Sequence, residues 1–149
     1  TNTMHKVVPE IEKKLSIPIL HIADATAEAI VKKGLRTIGL LGTKFTMEQD
    51  FYKGRLEKNY GLKVIIPDSR DRDLVHHVIY DELCLGKVIP ASQNAFLDII
   101  RNMKDQGAGG LILGCTEIAL LVHQEQTDTP LFDTTEIHAL KSVEMALAE

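Results

Sequence analysis

Apolar residues recur along the chain in two alternating patterns. Short, continuously apolar runs are typical of strands buried on both faces of a sheet, and they occupy residues 17–22, 37–41, 64–66 and 111–113. Apolar residues spaced three or four positions apart predict helices over residues 4–15, 23–34, 46–59, 75–86, 96–107 and 134–147. This alternation predicts an α/β fold with a mainly parallel sheet flanked by helices.

Two of the predicted helices carry more specific local signals. Thr46 and Gln49 have the spacing of a capping box, which predicts that a helix starts at this point. In the last helix, which Asp133 is expected to cap, four apolar residues are predicted to face the core: Ile137, Leu140, Val143 and Leu147.

Composition and charge exclude several classes of function. The 149 residues carry a net charge of −4, and the basic residues are scattered, which argues against a nucleic-acid or membrane-surface footprint. No apolar run approaches the roughly 18 residues of a membrane-spanning helix. Two cysteines are too few for a disulfide framework, and no secretory signal is visible, so the expected compartment is the cytoplasm. The chain begins with Thr1 and not with an initiator Met, which is typical of a fragment.

The loops that follow two predicted strands are the places where a ligand is expected, because ligands of parallel sheets gather at the carboxyl ends of strands. Thr43 follows the strand at 37–41. It either binds a ligand carboxylate or is part of an ordinary strand-to-helix turn. Cys115 follows the strand at 111–113 and precedes a predicted short helix that reaches Val122. A helix N-terminus would lower the pKa of this thiol and fit it for proton transfer or nucleophilic attack. The alternative to a catalytic role is that Cys115 is a small residue packed beneath the end of the strand.

The remaining candidate side chains favour structural roles. Cys84 lies late in a predicted helix, where a packed, unreactive thiol is expected. The spacing of the two cysteines, with no paired histidines, does not support a metal site. The histidines before residue 130 are more typical of structural than of catalytic positions, whereas His138, one turn into the last helix, points toward the strand ends, where a functional role stays open. Residues 1–3 have the composition of a helix cap.

Several motifs together resemble those of the aspartate/glutamate racemase superfamily. Residues 113–118 (LGCTEI) resemble its second-cysteine motif, and residues 1–5 (TNTMH) resemble its first-cysteine motif, with Thr1 at the cysteine position. Two further segments match motifs of the family in the same order along the chain: residues 40–43 with 46–47, and residues 132–134 with 138–139. The resemblance covers the whole chain and is greatest to the L-aspartate/glutamate-specific racemases.

This resemblance implies two similar α/β lobes with mainly parallel sheets around a cleft, the first lobe being incomplete here. Residues 1–34 are expected to be a remnant of the first lobe, residues 35–130 to form the second, and residues 131–149 to return to the first. The family's pattern places an upstream segment of roughly 80 residues, about half a domain of ordinary size, before position 1. It also implies a homodimer, since members of the family commonly dimerise.

The function that the resemblance implies is cofactor-independent racemisation of L-aspartate or L-glutamate by proton transfer at Cα. Cys115 corresponds to one acid/base and Thr1 stands at the position of the other. Because a hydroxyl is a much weaker acid than a thiol, turnover is expected to be strongly asymmetric. The residues that match the family's substrate contacts are Asn2, Thr3, Thr43 and Thr116. Glu117 replaces a histidine that is more usual in glutamate racemases and favours the aspartate branch.

Alternative functions remain open at this point. A hydantoin racemase, a maleate isomerase or an arylmalonate decarboxylase would use cysteines on the same scaffold. A non-catalytic small-molecule binding protein of this fold is a further alternative, which the threonine at position 1 favours. The sequence implies a small-molecule partner in each case, and no metal.

Overall fold

A computed structural model describes residues 1–148 and confirms the α/β class. The strands are β1 (Thr37–Leu41), β2 (Lys63–Ile65), β3 (Leu111–Leu113) and β4 (Leu131–Asp133). The α-helices are α1 (Val8–Ile11), α2 (Ile22–Lys32), α3 (Lys44–Glu48), α4 (Asp50–Tyr60), α5 (Ser69–His77), α6 (Pro90–Asp105) and α7 (Thr134–Leu147). The 3₁₀ turns at Thr3–Val7 and Glu12–Lys14 extend α1, and a π turn at Val78–Glu82 followed by a 3₁₀ turn at Leu83–Leu85 extends α5.

The four strands form one parallel sheet in the order β2–β1–β3–β4. In its central register, Leu41 of β1 lies opposite Leu113 of β3, which in turn lies opposite Asp133 of β4. The chain therefore leaves β1, β3 and β4 at the same edge of the sheet. Because β4 pairs with β3, residues 131–133 belong to the same sheet as residues 37–41. The predicted division of the chain into two lobes, with boundaries at 34 and 131, stays a prediction.

The core lies between the sheet and the helices on its two faces. Strands β1 and β3 are apolar at nearly every position because both of their faces are covered. The largest fully buried side chains come from β1, from helices α2, α3, α4 and α6, and from the π turn: Ile22, Ile30, Ile38, Leu40, Leu41, Met47, Tyr52, Leu56, Ile79, Phe96, Ile100 and Met103. Gly61 ends α4 in the left-handed conformation (φ 64°), which glycine adopts without steric cost.

The strand predicted over residues 17–22 is wrong. The chain is irregular from Leu15 to His21, and α2 begins at Ile22 with His21 as its N-cap residue. His21 Nδ1 accepts a hydrogen bond from the backbone N–H of Ala23 at 3.1 Å. Ile17 is 68% exposed and Leu20 is half-buried, so the first part of this run lacks the cover from the described residues that a sheet strand would have.

The capping box predicted at Thr46 is also wrong. Helix α3 begins at Lys44, so Thr46 lies inside a helix with its side chain fully buried. The chain then becomes extended at Gln49, and α4 begins at Asp50. The polar spacing that resembled a cap instead reflects an inward-facing hydroxyl.

The predicted inward face of the last helix is only partly correct. Ile137 packs against the core, but Leu140, Val143 and Leu147 are exposed in the described chain. Helix α7 lies against α2, and Lys141 forms an ion pair with Glu28 at 2.9 Å across this contact. Within residues 1–148, no helix is both long and apolar enough to cross a bilayer.

Candidate active site

The loops after β1 and β3 approach each other closely at the carboxyl edge of the sheet. A side chain added at Gly42 would lie 3.1 Å from the carbonyl oxygen of Gly114, and one added at Gly114 would lie 2.8 Å from that of Leu41. The backbone N–H of Gly114 donates to that same Leu41 oxygen at 2.6 Å. Only glycine fits this close backbone contact, which brings Thr43 and Cys115 to neighbouring positions at the edge.

Cys115 forms a compact hydrogen-bonded group with the two residues that follow it. Cys115 Sγ donates to Glu117 Oε2 at 2.9 Å, and Thr116 Oγ1 donates to the same oxygen at 2.7 Å. All three side chains are half-buried. The thiol proton therefore points at a carboxylate that a second donor also holds.

The ionisation of Cys115 is opposite to the sequence-based expectation. The first helical element that follows it is a 3₁₀ turn at Ile118–Leu120, so the thiol does not lie at the start of an α-helix. Burial first, and then the hydrogen bond to Glu117, raise the pKa of Cys115 to about 12. The predicted lowering of this pKa is therefore wrong, and the side chain is a thiol at neutral pH.

Glu117 shows the complementary shift. Burial on its own would raise the pKa of this carboxyl, but the hydrogen bonds from Cys115 and Thr116 outweigh that effect and hold its pKa below the ordinary value. Residue 1 also lies near Glu117. The structure thus brings the beginning of the chain to the site of Cys115.

A chain of hydroxyl groups connects two more of the predicted site residues. Thr46 Oγ1 lies 3.3 Å from Thr3 Oγ1 and 3.3 Å from Thr43 Oγ1. Thr43 and Thr46 are buried, and Thr3 is half-buried. Thr46 thereby holds the segment before α1 against the loop after β1.

A second chain of hydrogen bonds fixes Asn2 against the sheet. Thr134 Oγ1 donates to the carbonyl oxygen of Leu113 at 2.9 Å, and Asn2 Nδ2 donates to Thr134 Oγ1 at 2.9 Å. A hydroxyl has one proton, so the Thr134 oxygen must act as the acceptor for Asn2. This orients the amide, and the buried Asn2 Oδ1 has no hydrogen-bond partner among the described residues.

The other side chains considered from the sequence make no hydrogen bond to Cys115, Thr116 or Glu117 among the described residues. His138 Nε2 lies 3.0 Å from the carbonyl oxygen of Leu20, and the His5 ring lies 4.7 Å from that of His21 and 5.6 Å from that of His138. Cys84 is exposed, so the expectation of a packed thiol is wrong. Asp133 caps α7 as predicted, accepting from the backbone N–H of Thr135 at 2.8 Å.

Sequence reasoning missed the connecting residues of the site. Thr46 and Thr134 join the predicted residues to one another, and Glu117 was interpreted only as a family substitution. The spacing of Thr43 and Thr46, one helical turn apart, was the available signal for the first of these. Within residues 1–148, no three His, Cys, Asp or Glu side chains converge as a metal site requires.

The fold is that of an α/β protein with polar residues at the carboxyl edge of a parallel sheet, the edge at which proteins of this class bind ligands. A family model described as Asp/Glu/Hydantoin racemase matches residues 1–141. The chain belongs to this family.

Individual relatives agree with this assignment. A crystal structure of a candidate Asp/Glu racemase from Yersinia pestis is 51% identical, with a TM-score of 0.96 over 99% of this chain. That of an aspartate racemase homologue from Pyrococcus horikoshii is 36% identical, with a TM-score of 0.90 over 99% of this chain. A broad-specificity amino-acid racemase of Bacillus subtilis is 26% identical over 99% of this chain.

These relatives are longer than the chain. It spans 64% of the Yersinia protein, 65% of the Pyrococcus protein and 63% of the Bacillus racemase. The two structures therefore show the fold of the matched part, and activity is a property of the whole protein.

Proposed function

We propose that this chain is the greater part of an amino-acid racemase that acts on L-aspartate or L-glutamate by proton transfer at Cα, using side chains without a cofactor. The observation that carries the proposal is the thiol of Cys115, held against a carboxylate at the strand ends, where residues 1–3 also converge. Family membership and the racemases among the relatives support the reaction class. We place the reaction in the cytoplasm, where free amino acids are available.

In the proposed reaction, the sulfur of Cys115 takes the α-proton from one face of the substrate. An amino-acid Cα–H is a very weak acid, so the site must stabilise the negative charge that develops on the α-carbon and carboxylate. The hydroxyls of Thr43 and Thr116 and the backbone N–H groups of the loops after β1 and β3 are the proposed donors. Asn2 and Thr3 complete the substrate contacts.

Thr1 is the second member of the proposed acid/base pair and acts on the face of the substrate α-carbon opposite to Cys115. A threonine hydroxyl has a far higher pKa than a thiol, so Thr1 returns or removes a proton much more slowly than Cys115. The two enantiomers of an amino acid have equal free energy, so complete racemisation cannot favour one direction. The asymmetry must instead appear as exchange of the α-proton with solvent, which is fast for the enantiomer whose proton faces Cys115.

We also propose that the terminal segments complete a first lobe together with polypeptide that corresponds to the unmatched third of the relatives. Apolar side chains in both segments lack cover from the described residues, Ile17 and Leu140 among them. Residues 1–34 and the residues after β4 form this contribution, while β4 itself stays in the sheet of the second lobe.

The experiment compares Cys115→Ser with Cys84→Ser in the full-length protein, which includes the polypeptide that corresponds to the unmatched third of the relatives. Incorporation of deuterium at Cα of L-glutamate and L-aspartate is followed by NMR in D₂O. We expect Cys115→Ser to slow exchange by about 10³-fold, within the range for loss of a general acid/base. Cys84→Ser, which changes the exposed thiol, should leave the rate unchanged.

Undiminished exchange in Cys115→Ser would remove the basis of the proposal. Parallel assays with a 5-substituted hydantoin and with maleate separate the other reactions of this scaffold. Turnover of either one in the absence of amino-acid exchange would replace the proposed substrate class.

A further inference from the structure

The acid/base group of Cys115 includes a second residue. We propose that Glu117 is a positioning residue that accepts the thiol proton of Cys115 while the sulfur takes up the substrate α-proton. This inference rests on the proposed function, because it assigns to Glu117 a part in the same proton transfer.

The hydrogen-bond geometry supports this assignment. The S–H of Cys115 and the O–H of Thr116 both point at Glu117 Oε2, at 2.9 and 2.7 Å. A thiol has a single proton, so its direction toward the carboxylate leaves the sulfur lone pairs free on the other sides. The sulfur can therefore receive a proton from a substrate while its own proton leaves toward Glu117.

A thiolate formed in advance would be a poor alternative. Burial and Glu117 raise the pKa of Cys115, so only a small fraction of the molecules carries the thiolate at pH 7. A reaction that depended on this species would be slowed accordingly. Transfer of the thiol proton to an adjacent carboxylate avoids this loss, because Glu117 is ionised across the neutral range.

The proton balance is complete within the site. The Cα–H bond breaks and a new S–H bond forms at Cys115, with the electron pair left on the substrate α-carbon. The former S–H bond breaks at the same time, and its proton forms an O–H bond at Glu117 Oε2. Reversal of both transfers returns a proton to the same face of the α-carbon, and a proton held by a half-buried carboxyl can exchange with water in between.

Thr116 couples this transfer to substrate binding. Its one hydroxyl proton can point at Glu117 or at a substrate carboxylate, but not at both. When it turns to the substrate, Oε2 loses one of its two donors, and its affinity for the thiol proton rises. Glu117 thus becomes a stronger base when the substrate is present.

The titratable groups around Glu117 come from two parts of the chain. Cys115 precedes it, and Cys84, in the turn that extends α5, lies within electrostatic range of both Glu117 and Cys115. Cys84 must be replaced in the test, so that one thiol remains to be titrated.

The test uses the full-length protein in a Cys84→Ser background and compares wild-type Glu117 with Glu117→Gln and Glu117→Asp. Alkylation of Cys115 by iodoacetamide, measured against pH without substrate, should show its midpoint falling by at least about one pH unit in Glu117→Gln, since a negative neighbour is lost. Exchange at Cα should fall by about 10²-fold at pH 7 in the same variant. Its rate should then rise about tenfold per pH unit, because only preformed thiolate remains active, whereas the wild-type rate stays flat from about pH 6 to 9.

Glu117→Asp keeps the carboxylate, so it should retain the flat profile at a reduced rate, and it serves as the second variant if Glu117→Gln does not fold. The inference is overturned if Glu117→Gln shows the wild-type rate with an unmoved alkylation midpoint, or if the rate of Glu117→Asp rises tenfold per pH unit although its carboxylate is kept. It is also overturned if Glu117→Gln loses rate equally at every pH, as a purely structural residue would. Normal exchange in Cys115→Ser refutes the proposed function itself, whereas an inactive Cys115→Ser beside an unaffected Glu117→Gln refutes only the role of Glu117.

Discussion

The central strands and the last helix contain the same kinds of apolar residue but bury them to different degrees. Leu40 of β1 has no exposed surface, whereas Leu140 and Val143 of α7 are 59% and 56% exposed. Both elements follow the periodicity expected for their type, in β1 a continuous apolar run and in α7 a stripe at helical spacing. Periodicity thus identifies the face of an element that packs, whereas burial depends on whether another surface covers that face.

The same contrast holds at the beginning of the chain. Residues 3–14 are helical as predicted, yet Val8 is the only large apolar residue among them that is buried in the described chain. Between α2 and α7 lies a groove of about 240 Å³, with Leu140 and Ile137 on one side and Ala25 and Ala29 on the other. We interpret these surfaces as the part of the chain that meets the rest of the first lobe, in keeping with the proposal above.

The largest effect on the free energy of unfolding is expected in the fully buried strand β1. Leu40→Ala removes a fully buried side chain from the middle of the sheet and leaves a cavity, which should lower the free energy of unfolding by about 3 kcal/mol. Urea denaturation measures this change, with the denaturant dependence of the free energy unaltered. A cost below about 1 kcal/mol would show that the sheet is not the rigid centre of the fold.

An intermediate effect is expected at His21, which joins the beginning of the chain to α2. Its Nδ1 accepts a hydrogen bond and so must be unprotonated, and burial, followed by Arg55 and His5, lowers the pKa of His21 to about 4. Between about pH 6.5 and 4 the unfolded chain binds a proton that the folded chain does not. Stability should therefore fall by about 2–3 kcal/mol as pH falls through this window, and the contribution is fully present above it.

His21→Asn isolates this contribution, because asparagine also caps a helix but does not titrate. The difference in unfolding free energy between the variant and the wild type should change across this pH window and stay constant above about pH 7. A constant difference throughout would mean that His21 is not held in its neutral form.

The smallest effect on the free energy of unfolding is expected on the exposed face of α7. In a chain of residues 1–149, Leu140→Ala should change the free energy of unfolding by less than about 0.5 kcal/mol, because the side chain loses little buried surface. The same substitution should cost more in a longer protein that contains a complete first lobe. A cost equal to that of Leu40→Ala in the shorter chain would show that α7 is already covered.

The sequence predicted the central sheet well, because β1 and β3 are covered on both faces and so are apolar without interruption. The strand at residues 64–66 was displaced by one residue, and β4 was not separated from the helix that follows it. The false strand at residues 17–22 arose because an apolar run that lacks cover has the same composition as a buried strand. Composition alone cannot distinguish the two.

The candidate site was predictable only in outline. Thr43, Cys115 and Thr116 could be placed at one edge because parallel strands end together there. The roles of Thr46, Thr134 and Glu117 depend on side-chain directions and on the path of short loops, which no periodicity reports. The pKa of Cys115 was predicted in the wrong direction for the same reason, since the expected helix is a short turn and a carboxylate lies beside the sulfur.

The central claim is that Cys115 exchanges a proton on one face of the substrate and that Thr1 barely does so on the other. The most direct measurement is the initial rate of deuterium incorporation at Cα for L-glutamate and D-glutamate, in the wild type and in Thr1→Cys. We predict that one enantiomer exchanges at least about 10²-fold faster in the wild type, and that a thiol at position 1 reduces this ratio toward one. Equal rates for the two enantiomers in the wild type, persisting after Cys115→Ser, would contradict the account.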